Sequence, residues 1–209
     1  MSIDVKDIFD TLNQVRTRTA ELNDALSVKH RLSSGDAPIG AFNMVNQFAV
    51  VAMELLTHYA AAWESIPASA VDADRRQEWA ERLTTITKST FVLGMSAIEF
   101  SAKQAVLGRP GKVAQPNGRA YLGAIIRNSK TVGVVTSVDE DGWNGLIEVR
   151  NILVHNNGIA DTTVTHAIPG GPTIQLTAGA MAKANLRFFP ELTLWAVDAF
   201  GRWSDEFLM

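Results

Sequence analysis

Apolar residues recur at helical spacing along most of the chain. Ile8, Leu12, Val15, Leu22 and Leu26 form a heptad-like stripe with Thr19 at one seam position, which predicts a long helix that needs a partner. Residues 33–40, with Gly35, Asp36 and Pro38, read as the turn that ends it. A strongly apolar helix over residues 41–63 follows, and Pro67 marks its close. The next helix starts near Asp72 or Asp74, whose carboxylates suit an N-cap, and it runs to Leu107. Trp79, Leu83, Ile86, Leu93 and Ile98 supply much of its apolar face, and the Ser/Thr cluster at 84–90 and Gly94 are places where such a helix bends.

Past Gly108 the pattern breaks. Residues 109–119, RPGKVAQPNGR, form a loop with two prolines and two glycines, and 121–130 read as a short helix. Apolar residues then return on nearly every side of the period at Leu146, Ile147, Val149, Ile152, Leu153 and Val154, the pattern of a helix covered all round. After it the period changes to two: Val164, His166 and Ile168 alternate with Thr163, Thr165 and Ala167, and Pro169, Gly170, Gly171 and Pro172 make a turn before 173–177. That is a β-hairpin signal, in which His166 is a strand residue. The chain closes with aromatics at helical intervals over 181–208, including Phe188, Phe189, Trp195, Phe200, Trp203 and Phe207, with Pro190 starting or kinking the last segment.

The polar residues inside the apolar stretch 143–161, WNGLIEVRNILVHNNGIAD, need a reason. At about 100° per residue, Glu148, Asn151 and His155 fall within about 60° of one another, so one narrow stripe can line a cleft or an interface. Arg150 is about 140° from His155, and only its long stem or local unwinding brings its guanidinium to the imidazole. Asn156, Asn157 and Gly158 tolerate the left-handed backbone of a helix C-terminus, with Ile159 placed for the hydrophobic contact that follows. His155 therefore sits in the last turn, where partial negative charge favours the imidazolium and burial opposes it. Such a group suits acid or base work; a helix-capping histidine is the plainer alternative.

The Arg-Asn-x-x-x-His arrangement of residues 150–155 resembles the signature of HEPN domains, as do the residues 156–161 that follow and a preceding helix carrying Glu99 in GMSAIEF. The resemblance spans about residues 85–209. It implies an all-α, HEPN-like bundle of long antiparallel helices with a small β-hairpin before the C-terminal helix. Residues 1–209 then form a single helical domain, with 1–70 as an N-terminal helical extension or hairpin and 71–209 as the HEPN-like core, its hairpin near 162–177. It also implies a homodimer with a composite cleft and, in active members, a metal-independent endoribonuclease acting as a toxin or in anti-phage defence, with RNA as substrate and an antitoxin or regulatory protein as partner. The residue types fit that chemistry. Cleavage by the 2′-hydroxyl requires proton transfer by a group such as His155, phosphate binding by a planar fork such as Arg150, and an amide such as Asn151 to fix the imidazole or ribose. Glu99, Glu148 and Asn156 are the expected supporting residues, Glu99 aiming Arg150. A catalytically inactive HEPN-like dimer that binds RNA, a nucleotide or a protein partner is the alternative.

Composition narrows the classes further. A net charge of -3 gives no general attraction to nucleic acid. Between Glu99 and Asp139, however, there is no carboxylate, and the interval holds Lys103, Arg109, Lys112, Arg119, Arg127 and Lys130, a set able to track phosphates. The absence of cysteine excludes disulfides, thiol nucleophiles and thiolate metal sites. No phosphate-cradling P-loop, His-Glu-x-x-His helix or Gly-x-Ser-x-Gly elbow occurs, and no cofactor or metal is expected. The polar residues Asn43, Asn46, Gln47, Glu54 and His58 make helix 41–63 a buried or dimer-facing element rather than a membrane span. A cytoplasmic location is the expectation, since no secretory signal pattern opens the chain.

Overall fold

The computed structural model describes residues 5–67, 69, 71–114, 121–182 and 185–209. Among them are six helices, α1 (Val5–His30), α2 (Ala37–Glu64), α3 (Ala73–Gly108), α4 (Leu122–Thr131), α5 (Ser137–His155) and α6 (Phe188–Leu208). A single antiparallel hairpin, β1 (Val164–Ala167) and β2 (Thr173–Leu176), precedes α6, with Val164 opposite Leu176 and His166 opposite Ile174. The fold is all-α with this one small hairpin.

The helices form because each has a stripe to bury. On α1, Ile8, Leu12, Val15 and Leu26 are buried together with Thr19, whose hydroxyl donates to the Arg16 carbonyl at 2.8 Å. That internal bond is how a polar residue occupies the seam. Helix α2 begins at Ala37, inside the stretch read as a turn, because Pro38 in the first turn has no N–H to satisfy there. Asp36 accepts from the Ser33 backbone N–H and hydroxyl, bracing the turn rather than capping the helix. By length and composition α2 is apolar enough to cross a membrane, and here it buries Phe42, Val45, Ala49, Ala52 and Leu56 against its neighbours.

Helix α3 continues unbroken through its Ser/Thr cluster, where Thr84, Thr85, Thr87 and Thr90 each donate to a carbonyl one turn back. Of its expected apolar face, Leu83 and Ile98 are buried, whereas Leu93 is exposed. Contacts Val45 to Gly94 and Tyr59 to Trp79 run α3 antiparallel to α2. Pairs Asp7–Arg187, Arg18–Asp198 and Lys29–Asp205 run α6 parallel to α1. Helix α6 begins at Phe188, with Pro190 in its first turn and no kink required.

One core extends from Ile8 to Phe207 and unites α1 and α2 with the rest. Its aromatic column, Phe200, Trp203 and Phe207, lies along α6, and the Trp203 indole donates to the buried Ser129 hydroxyl of α4 at 3.0 Å. Helix α5 is started by Thr136, whose hydroxyl accepts from the Asp139 N–H, with Asp139 and Glu140 in the favourable first turn.

The hairpin docks on α5 where the helix has no side chain. A Cβ on Gly145 would lie 2.8 Å from His166 Cβ and 2.9 Å from Ile174 Cδ1. Only glycine permits that approach.

Candidate functional site

Helices α4 and α5 run antiparallel, as Gly123 beside Ile147 and the Lys130–Glu140 ion pair require, so the start of α4 lies beside the end of α5. Helix α3 passes behind both. The three meet around a cleft of about 350 Å³ lined by Met95, Glu99, Tyr121, Leu122, Gly123, Ile147, Arg150, Asn151, His155, Asn156 and Asp161. Met95 and Leu122 are buried and give it an apolar base, while the polar groups cluster at the end of α5.

Arg150, Asn151 and His155 thus share one cleft, as the motif predicts. The Arg150 side chain is three-quarters buried, and its guanidinium pairs with Glu99 at 3.5 Å and donates to Asn151 Oδ1 at 3.2 Å. Glu99 also accepts the Leu122 backbone N–H at 3.4 Å, so one carboxylate ties the arginine to the first residue of α4. The guanidinium has five donors; its Nε is buried with no partner among the described residues. His155 is exposed and makes no hydrogen bond or ion pair among those residues. Its exposure departs from the covered-all-round pattern of the helix that carries it.

The helix ends as expected at Asn157, with φ of 51°, and Gly158, with φ of 85°. The Gly158 N–H bonds to the Ile152 carbonyl at 3.0 Å. Ile159 is exposed and bridges Met181, and backbone pairing of Ala160 with Gly179 and Ala180 and of Gly158 with Ala182 holds the turn. Asn156 reaches forward, its amide donating to Asp161.

Glu148 leaves the stripe it was assigned to. Its carboxylate accepts from Thr162 at 2.6 Å and from His166 Nε2 at 3.0 Å, while His166 Nδ1 faces Asp141 at 3.0 Å. The nearby hairpin offers Glu148 a cation and a hydroxyl, and these draw it away from the cleft. His166 is 9% exposed with a carboxylate at each ring nitrogen. Only the imidazolium donates at both.

Burial opposes the charge on His166, and Asp141 and Glu148 more than offset it, so the imidazole pKa is raised above 6.5. The His166 bond depresses the Asp141 pKa in turn. A raised histidine pKa stabilises the fold fully below the unfolded value and loses that contribution as pH rises through the folded one. Thermal unfolding is therefore expected at falling temperature as pH rises from 6.5. His166→Gln should flatten that slope, and a slope unchanged by H166Q would contradict the clasp.

None of the described cations of the basic interval is among the residues that line the cleft. Lys103 and Arg127 are exposed, four residues on from the cleft residues Glu99 and Gly123 along their helices. Arg109 donates to the Leu208 carbonyl, Lys130 pairs with Glu140, and Lys112 is exposed on the loop. Arg119 lies outside the described residues, as does the second half of the loop that follows α3. The first half is anchored by buried Val113 and by the Asn128 amide on the Ala114 carbonyl. The described lining holds one arginine against the carboxylates Glu99 and Asp161, so the cleft itself is not a basic surface.

Sequence reasoning gave no role to Asp161 or Tyr121, which line the cleft beside the motif. The available signal for Asp161 was its place three residues after the reversing Gly158. Among the described residues no group of three His, Asp or Glu side chains is placed to hold a metal ion. No family model, curated protein or solved structure matches the chain.

Proposed function

We propose that the chain is a metal-independent endoribonuclease of the HEPN type, cleaving RNA through attack of the ribose 2′-hydroxyl on the adjacent phosphorus. The observation that carries this reading is the convergence of Arg150, Asn151 and an exposed His155, without a side-chain partner among the described residues, on one cleft of nucleotide dimensions. Arg150 has donors to spare for the phosphate, and Glu99 restricts where they point. His155 exchanges a proton at the reacting oxygens. Asn151, bonded to Arg150, is placed to hold the ribose or the ring. The exposed Lys103 and Arg127, each four residues from a lining residue on its helix, are the cations proposed for the flanking phosphates.

Replacing the 2′-hydroxyl at a cleaved linkage by hydrogen tests this step. That one linkage is expected to resist while its neighbours are cut. Cleavage at the deoxy position would exclude 2′-oxygen attack.

A homodimer is part of the proposal. Helix α2 leaves Met44, Val51 and Leu55 exposed, with Phe48 partly buried between them, at spacings of a heptad seam. On α3, Leu93, Phe100 and Leu107 are exposed seven residues apart. These stripes support pairing with a second copy. Sedimentation is expected to give twice the 22.7 kDa chain mass, and a monomer at tens of micromolar would contradict it.

Action in the cytoplasm as a toxin or in phage defence, restrained by an antitoxin or regulator, is the role that family resemblance suggests. The Arg150–Glu99 pair favours one alternative, a silent RNA- or nucleotide-binding or partner-binding protein in which that pair is structural.

A further inference from the structure

Within one protomer, a single histidine leaves the proposed reaction one group short. Transesterification needs a base for the 2′-hydroxyl and an acid for the leaving 5′-oxygen, and the described lining of the cleft contains one imidazole. We propose that Asp161 is the second proton-transfer group, so that one protomer's cleft holds both the base, Asp161, and the acid, His155. This inference rests on the ribonuclease reading above.

Two carboxylates line the cleft, and their surroundings differ. Glu99 is engaged at both oxygens, by Arg150 and by the Leu122 N–H. Asp161 accepts the Asn156 amide at Oδ2, and its Oδ1 has no hydrogen-bond partner among the described residues. The residue is exposed and its mount is rigid: Ala160 before it is 1% exposed and bonded to the segment 179–180 at 2.8 and 3.0 Å. The left-handed turn at Asn157 and Gly158 folds the chain back, so that Asp161 faces the same space as His155. Among the described residues, the other charged or titratable groups facing that space are Glu99 from α3, Tyr121 before α4 and Arg150 from α5.

The step balances. Asp161 takes the 2′-hydroxyl proton as the 2′-oxygen bonds to phosphorus, with Arg150 against the non-bridging oxygens. The bond from phosphorus to the 5′-oxygen breaks, and protonated His155 supplies that oxygen's proton. The products are a 2′,3′-cyclic phosphate and a 5′-hydroxyl. Water restores both side chains to their starting protonation.

The test measures single-turnover cleavage of single-stranded RNA across pH by the native chain, Asp161→Asn and Asp161→Glu. D161N is expected to lose about 100-fold or more in rate, the lower range for a proton-transfer group, and to lose the acid limb of the pH–rate profile. D161E is expected to recover part of the rate and keep that limb. An equimolar mixture of H155A and D161N is expected to stay as inactive as either alone. If the native chain cleaves and H155A does not, but D161N stays within threefold of native with the acid limb intact, this assignment is overturned and the nuclease reading stands. Recovery in the mixture would overturn the one-protomer arrangement. If the native chain cleaves no RNA, both fall.

Discussion

His155→Ala is expected to abolish RNA cleavage while leaving the protein folded. The imidazole is exposed and without a partner among the described residues, so its removal should change stability by no more than about 0.5 kcal/mol. The rate should fall about 100- to 10,000-fold, the range for losing a general acid or base. Arg150→Ala is expected to fail equally in catalysis but to destabilise somewhat, because Glu99 would lose its cation. Arg150→Lys should not rescue, since an ammonium lacks the planar fork. Initial rates beside thermal melts separate the two effects. A cleaving, folded H155A would remove the histidine from the mechanism.

The largest stability effect is expected at Trp203, far from the cleft and connected to it through α4. Its ring stacks between Phe200 at 5.5 Å and Phe207 at 4.8 Å, and its indole N–H satisfies Ser129, which is fully buried. Trp203→Ala should cost about 3–5 kcal/mol through cavity formation, lowering the melting temperature by at least about 6 °C for a chain of this size. Trp203→Phe keeps much of the stack and leaves Ser129 without its donor, at about 1–3 kcal/mol. Because Ser129 belongs to α4, whose first residues line the cleft, hydrogen exchange in Leu122–Thr131 should quicken in W203A. A melting temperature within 2 °C of native would show that this column does not hold α4.

The parts of the site readable in the sequence were those fixed by local geometry. Arg150, Asn151 and His155 sit on one helix, and Asn157 and Gly158 carry the left-handed backbone that ends it. Glu99 also met Arg150 as expected, since a carboxylate on a largely apolar helix needs a cation. The failures were all tertiary. Glu148 has the right angular position for the cleft, but His166, eighteen residues on, faces it at 3.0 Å. The approach of His166 to α5 depends on Gly145, whose meaning appears only once the hairpin is placed. The basic interval was contiguous in sequence, yet its described cations diverge: Arg109 goes to the end of α6, Lys130 to Glu140, and Lys103 and Arg127 to exposed helix surface. Leu93 fits the apolar period of α3 and is nevertheless exposed, because periodicity does not tell a core stripe from a surface that awaits a partner.

Metal-independent attack by the 2′-oxygen is tested by incubating the native chain with end-labelled single-stranded RNA and tRNA in EDTA and mapping the new ends. Cleavage that EDTA does not diminish is expected, with 2′,3′-cyclic phosphate and 5′-hydroxyl termini. Cleavage abolished by EDTA, 3′-hydroxyl products, or intact RNA across a broad panel would contradict that mechanism.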